Sequence, residues 1–204
     1  MNILFLGDSF TNRTGVKNAF KPEKMFSTLY TGNYVEILCK RLFVHFPDVD
    51  FAFYNRGISG DTTEDILKRF ELDTENKKID LVVLLIGHND IKKRCKDFAS
   101  IYMLLVSKIC EISERLIGIS VLPMISHPEL KSEIEAANAV IKNIIDSNNQ
   151  LYLDVYQYFV SVCLGEKKIK LYEESNHLSE LGNMYIADCV YELVKKMILE
   201  KGKE

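Results

Sequence analysis

Four residues of the types used in acyl transfer stand in short polar segments of the chain. Ser9 lies in "LFLGDSF", Gly60 in "ISGDTTED", Asn89 in "LLIGHND" and His177 in "EESNHLSELG". A serine hydroxyl is a poor nucleophile until a neighbouring base takes its proton, and an imidazole is the usual base. The serine would supply the attack on an ester carbonyl and the histidine the proton transfer.

The segment around His177 also supplies an acid. Glu174 stands three residues before the histidine, close enough for a tight turn to bring a carboxylate to the imidazole. Such a carboxylate holds the ring in the correct orientation and tautomer. Glu173 is adjacent, and the sequence leaves open which of the two glutamates faces the ring.

Negative charge builds on the carbonyl oxygen during acyl transfer and needs hydrogen-bond donors fixed in advance. The backbone N–H of Gly60 can approach a ligand closely because glycine has no side chain. Asn89 adds a side-chain amide, and Ser9 adds its own backbone N–H. Losing one such donor typically raises the barrier by about 2.7 to 4 kcal/mol. Asp8 is expected to hold the turn at Ser9 by hydrogen bonds.

The strands that position these residues follow from the apolar pattern. Runs of strand length alternate with longer segments of helical spacing, and the five runs are Ile3–Leu6, Phe51–Tyr54, Leu81–Ile86, Ile119–Leu122 and Leu151–Val155. This alternation predicts an α/β fold of three layers, flavodoxin-like, with a five-stranded parallel sheet between helices. Parallel strands end at one edge of the sheet, where such folds bind ligands. The polar segments are therefore expected to meet there.

The helices are predicted from their caps and apolar stripes. Thr31 is a candidate cap for the first helix, and Asp61 with Glu64 forms a capping-box pattern before the second. Further helices are expected over about 98–116 and 129–147, and a last one after Ser179.

Composition limits the class of protein. The 204 residues, 47% hydrophobic with four prolines, predict one domain over 1–204. A net charge of −3 without basic clusters argues against nucleic acid as a partner. The chain has no apolar stretch long enough to span a bilayer and no signal-peptide pattern, which predicts a cytoplasmic protein. Five cysteines without C-x-x-C spacing suggest neither a disulfide framework nor a metal site.

The ordered segments "GDSF", "ISGDTTEDIL", "IGHND" and "EESNHLSELG" resemble the four conserved blocks of the SGNH, or GDSL, hydrolases. The resemblance runs from Ile3 to about Gly182. It implies Ser9 as nucleophile, His177 as base and the three donors above as the oxyanion hole. It also implies a flavodoxin-like fold and hydrolysis of esters or thioesters without a metal or cofactor. The chain departs from the family pattern at Glu174, where an aspartate is usual.

Substrate contacts are predicted less specifically. His88 lies within "GHND", His127 follows the fourth strand, and Phe26 belongs to the irregular segment 10–30. That segment either walls an acyl pocket or packs against the body of the protein.

The ester itself is left open by the sequence: a carbohydrate O-acetyl group, a short-chain acyl ester, a lysophospholipid and a thioester would all suit this chemistry. A non-catalytic flavodoxin-like module that binds a small molecule or carbohydrate is the alternative. The oligomeric state is not indicated.

Overall fold

A computed structural model of the chain describes residues 1–12, 32–164, 170–173 and 177–201. Its strands are β1 (Asn2–Gly7), β2 (Ala52–Gly57), β3 (Leu81–Leu85), β4 (Leu116–Ile119) and β5 (Leu151–Leu153). They form one parallel sheet in the order β2-β1-β3-β4-β5. The helices of the described residues are α1 (Tyr34–His45), α2 (Thr63–Thr74), α3 (His88–Lys92), α4 (Phe98–Ile112), α5 (Lys131–Ser147), α6 (Tyr156–Leu164) and α7 (Glu180–Lys201).

Both faces of the sheet are covered, which accounts for its nearly continuous apolar strands. Successive residues of β1 point to opposite faces, so Ile3 and Phe5 pack with α1 and α7 while Leu4 and Leu6 pack with α2, α4 and α5. All four side chains are fully buried. The predicted three-layer α/β/α fold with a five-stranded parallel sheet is confirmed.

The strand order creates a crevice at the carboxyl ends of β1 and β3. From β1 the chain crosses to β2 on one side, and from β3 it crosses to β4 on the other, so the two connections diverge. Ser9 follows β1 directly, and α3 begins with His88 just after β3. The fold thus brings two of the polar segments to neighbouring strand ends.

The fourth strand begins earlier than predicted. It spans Leu116–Ile119, whereas the apolar run suggested Ile119–Leu122. The strand also ends before Val121, whose backbone binds the side chain of Asn138 on α5 instead: Asn138 accepts the Val121 N–H at 2.7 Å and donates to its carbonyl at 3.0 Å. Those peptide groups are therefore satisfied outside the sheet.

The capping box of α2 lies one residue further along than predicted. Thr62 accepts the N–H of Asp65, and the Asp65 carboxylate accepts the N–H of Thr62 at 3.0 Å. Asp61 instead accepts a hydrogen bond from Arg69 Nε at 2.9 Å. Asn33 caps α1.

Two helices, α3 and α6, were not expected from the periodicity, since neither exceeds nine residues. Thr31, Phe26 and Glu174, together with most of the segment 10–30, lie outside the described residues.

Candidate active site

Ser9 lies in a tight turn over residues 8–12, here called the serine turn. The carbonyl of Asp8 accepts the N–H groups of Thr11 and Asn12 at 3.2 and 2.9 Å, and its carboxylate accepts the N–H of Phe10 at 3.0 Å. The predicted role of Asp8 in holding the turn is confirmed. Ser9 is half-buried within this turn.

Glycine is required immediately before the serine turn because the chain folds back on itself there. A Cβ atom added to Gly7 would lie 2.5 Å from the carbonyl oxygen of Leu85 and would overlap the side chain of Thr11. Thr11 is held from the other side, where its carbonyl accepts from Asn55 Nδ2 at 2.9 Å. The close packing fixes the position of the turn over the ends of β1 and β3.

Gly60 occupies the third position of a turn from Ile58 to Asp61. Its φ of +89° is in the region that favours glycine. The bond that closes the turn runs from Asp61 N–H to the carbonyl of Ile58 at 3.2 Å, so it does not use the N–H of Gly60. Gly60 is exposed, which leaves its backbone accessible to a ligand.

Asn89 connects the serine turn to the Gly60 turn. Its Nδ2 donates to the carbonyl oxygen of Asp61 at 2.9 Å and to Oδ2 of Asp8 at 3.2 Å. An amide nitrogen has two hydrogens. Both are therefore directed at protein acceptors, one in each of the two turns.

Asp90 on α3 and Lys93 just after it also bind the segment around Gly60. Gly87, with a φ of +122°, turns the chain from β3 into this helix. Lys93 Nζ donates to the carbonyl of Gly60 at 2.9 Å, and the carboxylate of Asp90 accepts the N–H of Thr63 at the start of α2. Three side chains of the "GHNDIKK" segment thus hold the Gly60 segment in place.

The surroundings of Asp8 disfavour a negative charge on its side chain. Its side chain is buried, and burial raises the pKa of Asp8 to about 7, with smaller upward contributions from the negative charges of Asp90 and Asp61. The hydrogen bond from Phe10 N–H opposes this increase. A carboxylate that titrates near neutral pH therefore stands directly beside Ser9 in the chain.

His177 lies in a short paired loop before α7, here called the histidine loop, residues 170–173 and 177–179. Tyr172 and Leu178 form an antiparallel bridge, and Glu173 N–H donates to the carbonyl of His177 at 2.8 Å. The hydroxyl of Tyr172 donates to the carbonyl of Pro123 at 2.8 Å. The loop is thereby fastened to the segment that follows β4.

The structure brings His177 next to the serine turn. The ring of Phe10 is near two imidazoles, with centroid distances of 5.0 Å to His88 and 6.3 Å to His177. Asn183 on α7 joins the same region, because its Oδ1 accepts the N–H of Tyr34 at 2.9 Å while its Nδ2 donates to the carbonyl of Leu178 at 3.2 Å.

Of the predicted substrate contacts that the structure describes, His88 packs against the serine turn through the ring of Phe10. Burial lowers the pKa of His88 to about 4, assisted by Lys92 and by the two other histidines at this edge, so its ring is neutral at pH 7. Its Nδ1 is buried without a hydrogen-bond partner among the described residues.

His127 lies further along this edge, where it lines a cleft of about 100 Å³ and contacts Glu129 at 3.1 Å. Phe26 lies outside the described residues. Glu173 is exposed.

Within the described ranges, no group of three or more His, Cys, Asp or Glu side chains is placed to hold a metal ion. None of the helices traced in the described parts of the chain is long and apolar enough to cross a bilayer. The five cysteines are free thiols.

The fold and the comparisons with known proteins define the chain as a carboxylic ester hydrolase. Residues 5–184 match the model of the GDSL-like Lipase/Acylhydrolase family, and the chain belongs to this family. An acetylxylan esterase of Geobacillus stearothermophilus is 26% identical over 199 residues, covering 91% of this chain and 90% of that protein.

Solved structures share the fold. The crystal structure of an acetylxylan esterase from Geobacillus stearothermophilus superposes with a TM-score of 0.77 at 24% identity, over 94% of this chain and 92% of that one. An alpha/beta hydrolase enzyme from the metagenome of Lake Arreo, Spain, has a TM-score of 0.77 at 19% identity, over 93% and 92% of the two chains. Catalytic mutants of the Geobacillus enzyme replace a serine, a histidine and an aspartate by alanine, and the aspartate stands three positions before the histidine.

Proposed function

We propose that the protein hydrolyses its ester through an acyl-enzyme formed on Ser9. The hydroxyl of Ser9 attacks the ester carbonyl while His177 accepts its proton, and the imidazolium then protonates the leaving alcohol. Water, deprotonated by the same histidine, releases the acid and restores the serine. Glu174 holds the imidazole for both proton transfers.

The observation that carries this proposal is the contact between the serine turn and the histidine loop. The rings of Phe10 and His177 are 6.3 Å apart although the two residues are separated by most of the chain. Phe10 is the immediate neighbour of Ser9, so the base candidate lies beside the turn that carries the nucleophile candidate.

Glu174 is favoured over Glu173 as the acid. Glu173 is exposed and uses its backbone N–H to pair with His177. Glu174 stands three positions before the histidine, which is the spacing of the aspartate and histidine replaced in the catalytic mutants of the Geobacillus esterase.

The oxyanion is proposed to bind the N–H groups of Ser9 and Gly60 and the side-chain amide of Asn89. The Gly60 turn is exposed and its closing bond leaves that N–H unused, while Asn89 is bonded to both turns. Donors held by such bonds need little rearrangement when charge develops on the substrate.

For the substrate we propose an O-acetyl ester of a carbohydrate. The acetylxylan esterase that aligns over 91% of this chain supports this choice.

A second substrate class is favoured by the cleft that His127 lines. Its walls are mostly apolar and come from the segment after β4, α5 and α6, including Met124, Ile134 and Val160. Such a surface would suit the acyl chain of a longer ester or a lysophospholipid.

Both substrate proposals are tested with one enzyme preparation. Rates are measured on p-nitrophenyl esters from acetate to octanoate and on acetylated xylo-oligosaccharides, with wild type and Ser9→Ala. We expect acetate to be the fastest of the p-nitrophenyl series and the oligosaccharides to be deacetylated. A maximum at hexanoate or octanoate would instead support the longer ester.

The nucleophile is tested independently by a fluorophosphonate followed by intact mass and peptide mapping. We expect one covalent adduct, on Ser9, that is lost in Ser9→Ala. Wild-type rates in Ser9→Ala, or labelling of another residue, would refute the proposed mechanism.

A further inference from the structure

Asp8 stands where the serine turn meets Asn89. Its Oδ1 accepts the N–H of Phe10 at 3.0 Å, and its Oδ2 accepts from Asn89 Nδ2 at 3.2 Å. The residue is 1% exposed, so water does not compete effectively for either bond. One buried carboxylate therefore joins the turn that carries Ser9 to the amide of Asn89.

We propose that Asp8 is a positioning residue whose carboxylate holds the Asn89 amide in the orientation from which it binds the oxyanion. The inference rests on the proposed function, because it takes Asn89 as an oxyanion donor. Asp8 itself is not assigned contact with the substrate.

The two bonds of Asn89 have different roles in this proposal. The bond to the carbonyl of Asp61, at 2.9 Å, is the shorter one and ties the amide to the Gly60 turn. The bond to Asp8, at 3.2 Å, is longer. In this proposal the oxyanion shares that hydrogen with Asp8, because both hydrogens of the amide already have protein acceptors. An amide held at both ends before the reaction avoids the cost of orienting it when charge develops.

Once ionised, above the pKa of about 7 that burial gives Asp8, a carboxylate suits this position because both of its oxygens are used as acceptors. An asparagine side chain has only one acceptor oxygen, and its NH₂ group would face either Phe10 N–H or Asn89 Nδ2, donor against donor. A serine at position 8 would keep an acceptor for the turn but is too short to serve both partners. Asp8→Asn and Asp8→Ser therefore weaken the bond to Asn89 in two different ways.

The network around Asp8 contains a matched control. Asp90 is also buried, at 2% exposure, and its carboxylate also accepts a backbone N–H, that of Thr63. Among the described residues, its carboxylate makes no hydrogen bond to the side chain of Asn89. Asp90→Asn thus perturbs a comparable buried carboxylate at the same edge without removing an acceptor of the Asn89 amide.

The experiment is a double-mutant cycle on p-nitrophenyl acetate. Asp8→Asn, Asp8→Ser and Asp90→Asn are made in the wild type and in Asn89→Ala, and kcat, KM and Tm are measured for each. We expect Asn89→Ala to lower kcat by about 100-fold or more. Asp8→Asn and Asp8→Ser should each lower kcat by roughly 10-fold with KM nearly unchanged, since they act through a donor used in the transition state.

The test of the proposal is whether the effects of the Asp8 and Asn89 substitutions on kcat are coupled. In the Asn89→Ala background the Asp8 substitutions should change kcat by less than about 2-fold, whereas the effect of Asp90→Asn should be the same in both backgrounds. If the Asp8 substitutions lower kcat equally in both backgrounds, or change only Tm, the positioning role is refuted while the proposed acyl-enzyme stands. If Asn89→Ala retains wild-type kcat, the role is also refuted, together with that part of the oxyanion hole. Full activity in Ser9→Ala would identify failure of the proposed function itself.

Discussion

The two halves of the candidate site are held by different kinds of contact. The half formed by the serine turn, the Gly60 turn and α3 is joined by side chains, among them the buried carboxylates of Asp8 and Asp90. The histidine loop is held by backbone pairing around Tyr172 and Leu178 and by neutral side chains, the hydroxyls of Tyr172 and Ser179 and the amide of Asn183. These contacts of the histidine loop require no buried charge.

The difference corresponds to the proposed chemistry of each half. Donors to a developing oxyanion must be oriented before the reaction, and a network of buried polar groups provides that rigidity at an electrostatic cost. The raised pKa of Asp8 shows that burial disfavours its ionised form, which is this electrostatic cost. For the base, placement beside the nucleophile is the main requirement, and backbone pairing supplies it.

The largest effect is expected from removing the base. His177→Ala should lower kcat on p-nitrophenyl acetate by at least about 1,000-fold, because Ser9 then has no group to accept its proton. The matched control is His45→Ala, whose imidazole contacts the hydroxyl of Tyr191 between α1 and α7 and should leave kcat near the wild-type value. Activity in His177→Ala above about a tenth of wild type would contradict the assignment.

A second prediction concerns the electrostatic cost of the Asp8 half. Between pH 3.8 and about 7 the folded protein keeps a proton on Asp8 that the unfolded chain has released, so the stability of the fold decreases as pH rises through this range. Asp8→Asn does not titrate. The free energy of unfolding of Asp8→Asn relative to wild type should therefore increase by about 4 kcal/mol from pH 4 to pH 8.

Urea unfolding of both proteins at one-unit pH intervals measures this difference. Asp61 and Asp90 also have raised pKa values, mainly through burial, but they are present in both proteins and largely cancel. A difference that stays constant across the range would show that Asp8 is not a costly ionised group.

A third prediction addresses the packing beneath the serine turn. Gly7→Ala places a methyl group against the carbonyl of Leu85 and the side chain of Thr11, and should destabilise the fold by about 3 kcal/mol. In Gly60→Ala the methyl group has open space, and only the positive φ costs energy, about 1 to 2 kcal/mol. Urea unfolding compares the two, and equal losses would exclude the close approach at Gly7.

The smallest effect is expected in the histidine loop. Tyr172→Phe keeps the ring that packs against Phe159 but removes the hydroxyl that donates to Pro123, and should cost about 1 kcal/mol of stability. We expect kcat to fall only a few-fold, because the backbone pairing remains. Tyr158→Phe on the exposed side of α6 is the control. An equal or larger loss of stability in that variant would argue against a stabilising role for the Tyr172–Pro123 hydrogen bond.

Much of the fold was predictable because it depends on local pattern. The apolar runs identified all five strands, and the strand-helix alternation gave the parallel sheet and both helix layers. At two of the places where the prediction was shifted, a side-chain contact distant in the chain binds the groups concerned. The side chain of Asn138 accepts the N–H of Val121 beyond the end of β4. Arg69 donates to the carboxylate of Asp61, which does not cap α2.

The candidate site was predictable as residue types but not as a network. The four segments in order named Ser9, Gly60, Asn89 and His177, and their roles stay proposals, as do Glu174 and the single domain over 1–204. No signal in the sequence pairs Asp8 with Asn89, which lie 81 positions apart. A local pattern can place both residues at strand ends, but it cannot tell which side chains touch.

The sequence by itself determined the family, the order of strands along the chain and the chemistry that its polar segments can supply, because these depend on composition, periodicity and short motifs. Only the tertiary structure decided which strands are neighbours, that Phe10 lies against His177, and that a buried aspartate holds the Asn89 amide. Such contacts arise from closing long loops and excluding water around particular groups, and a pattern read along the chain does not contain those distances.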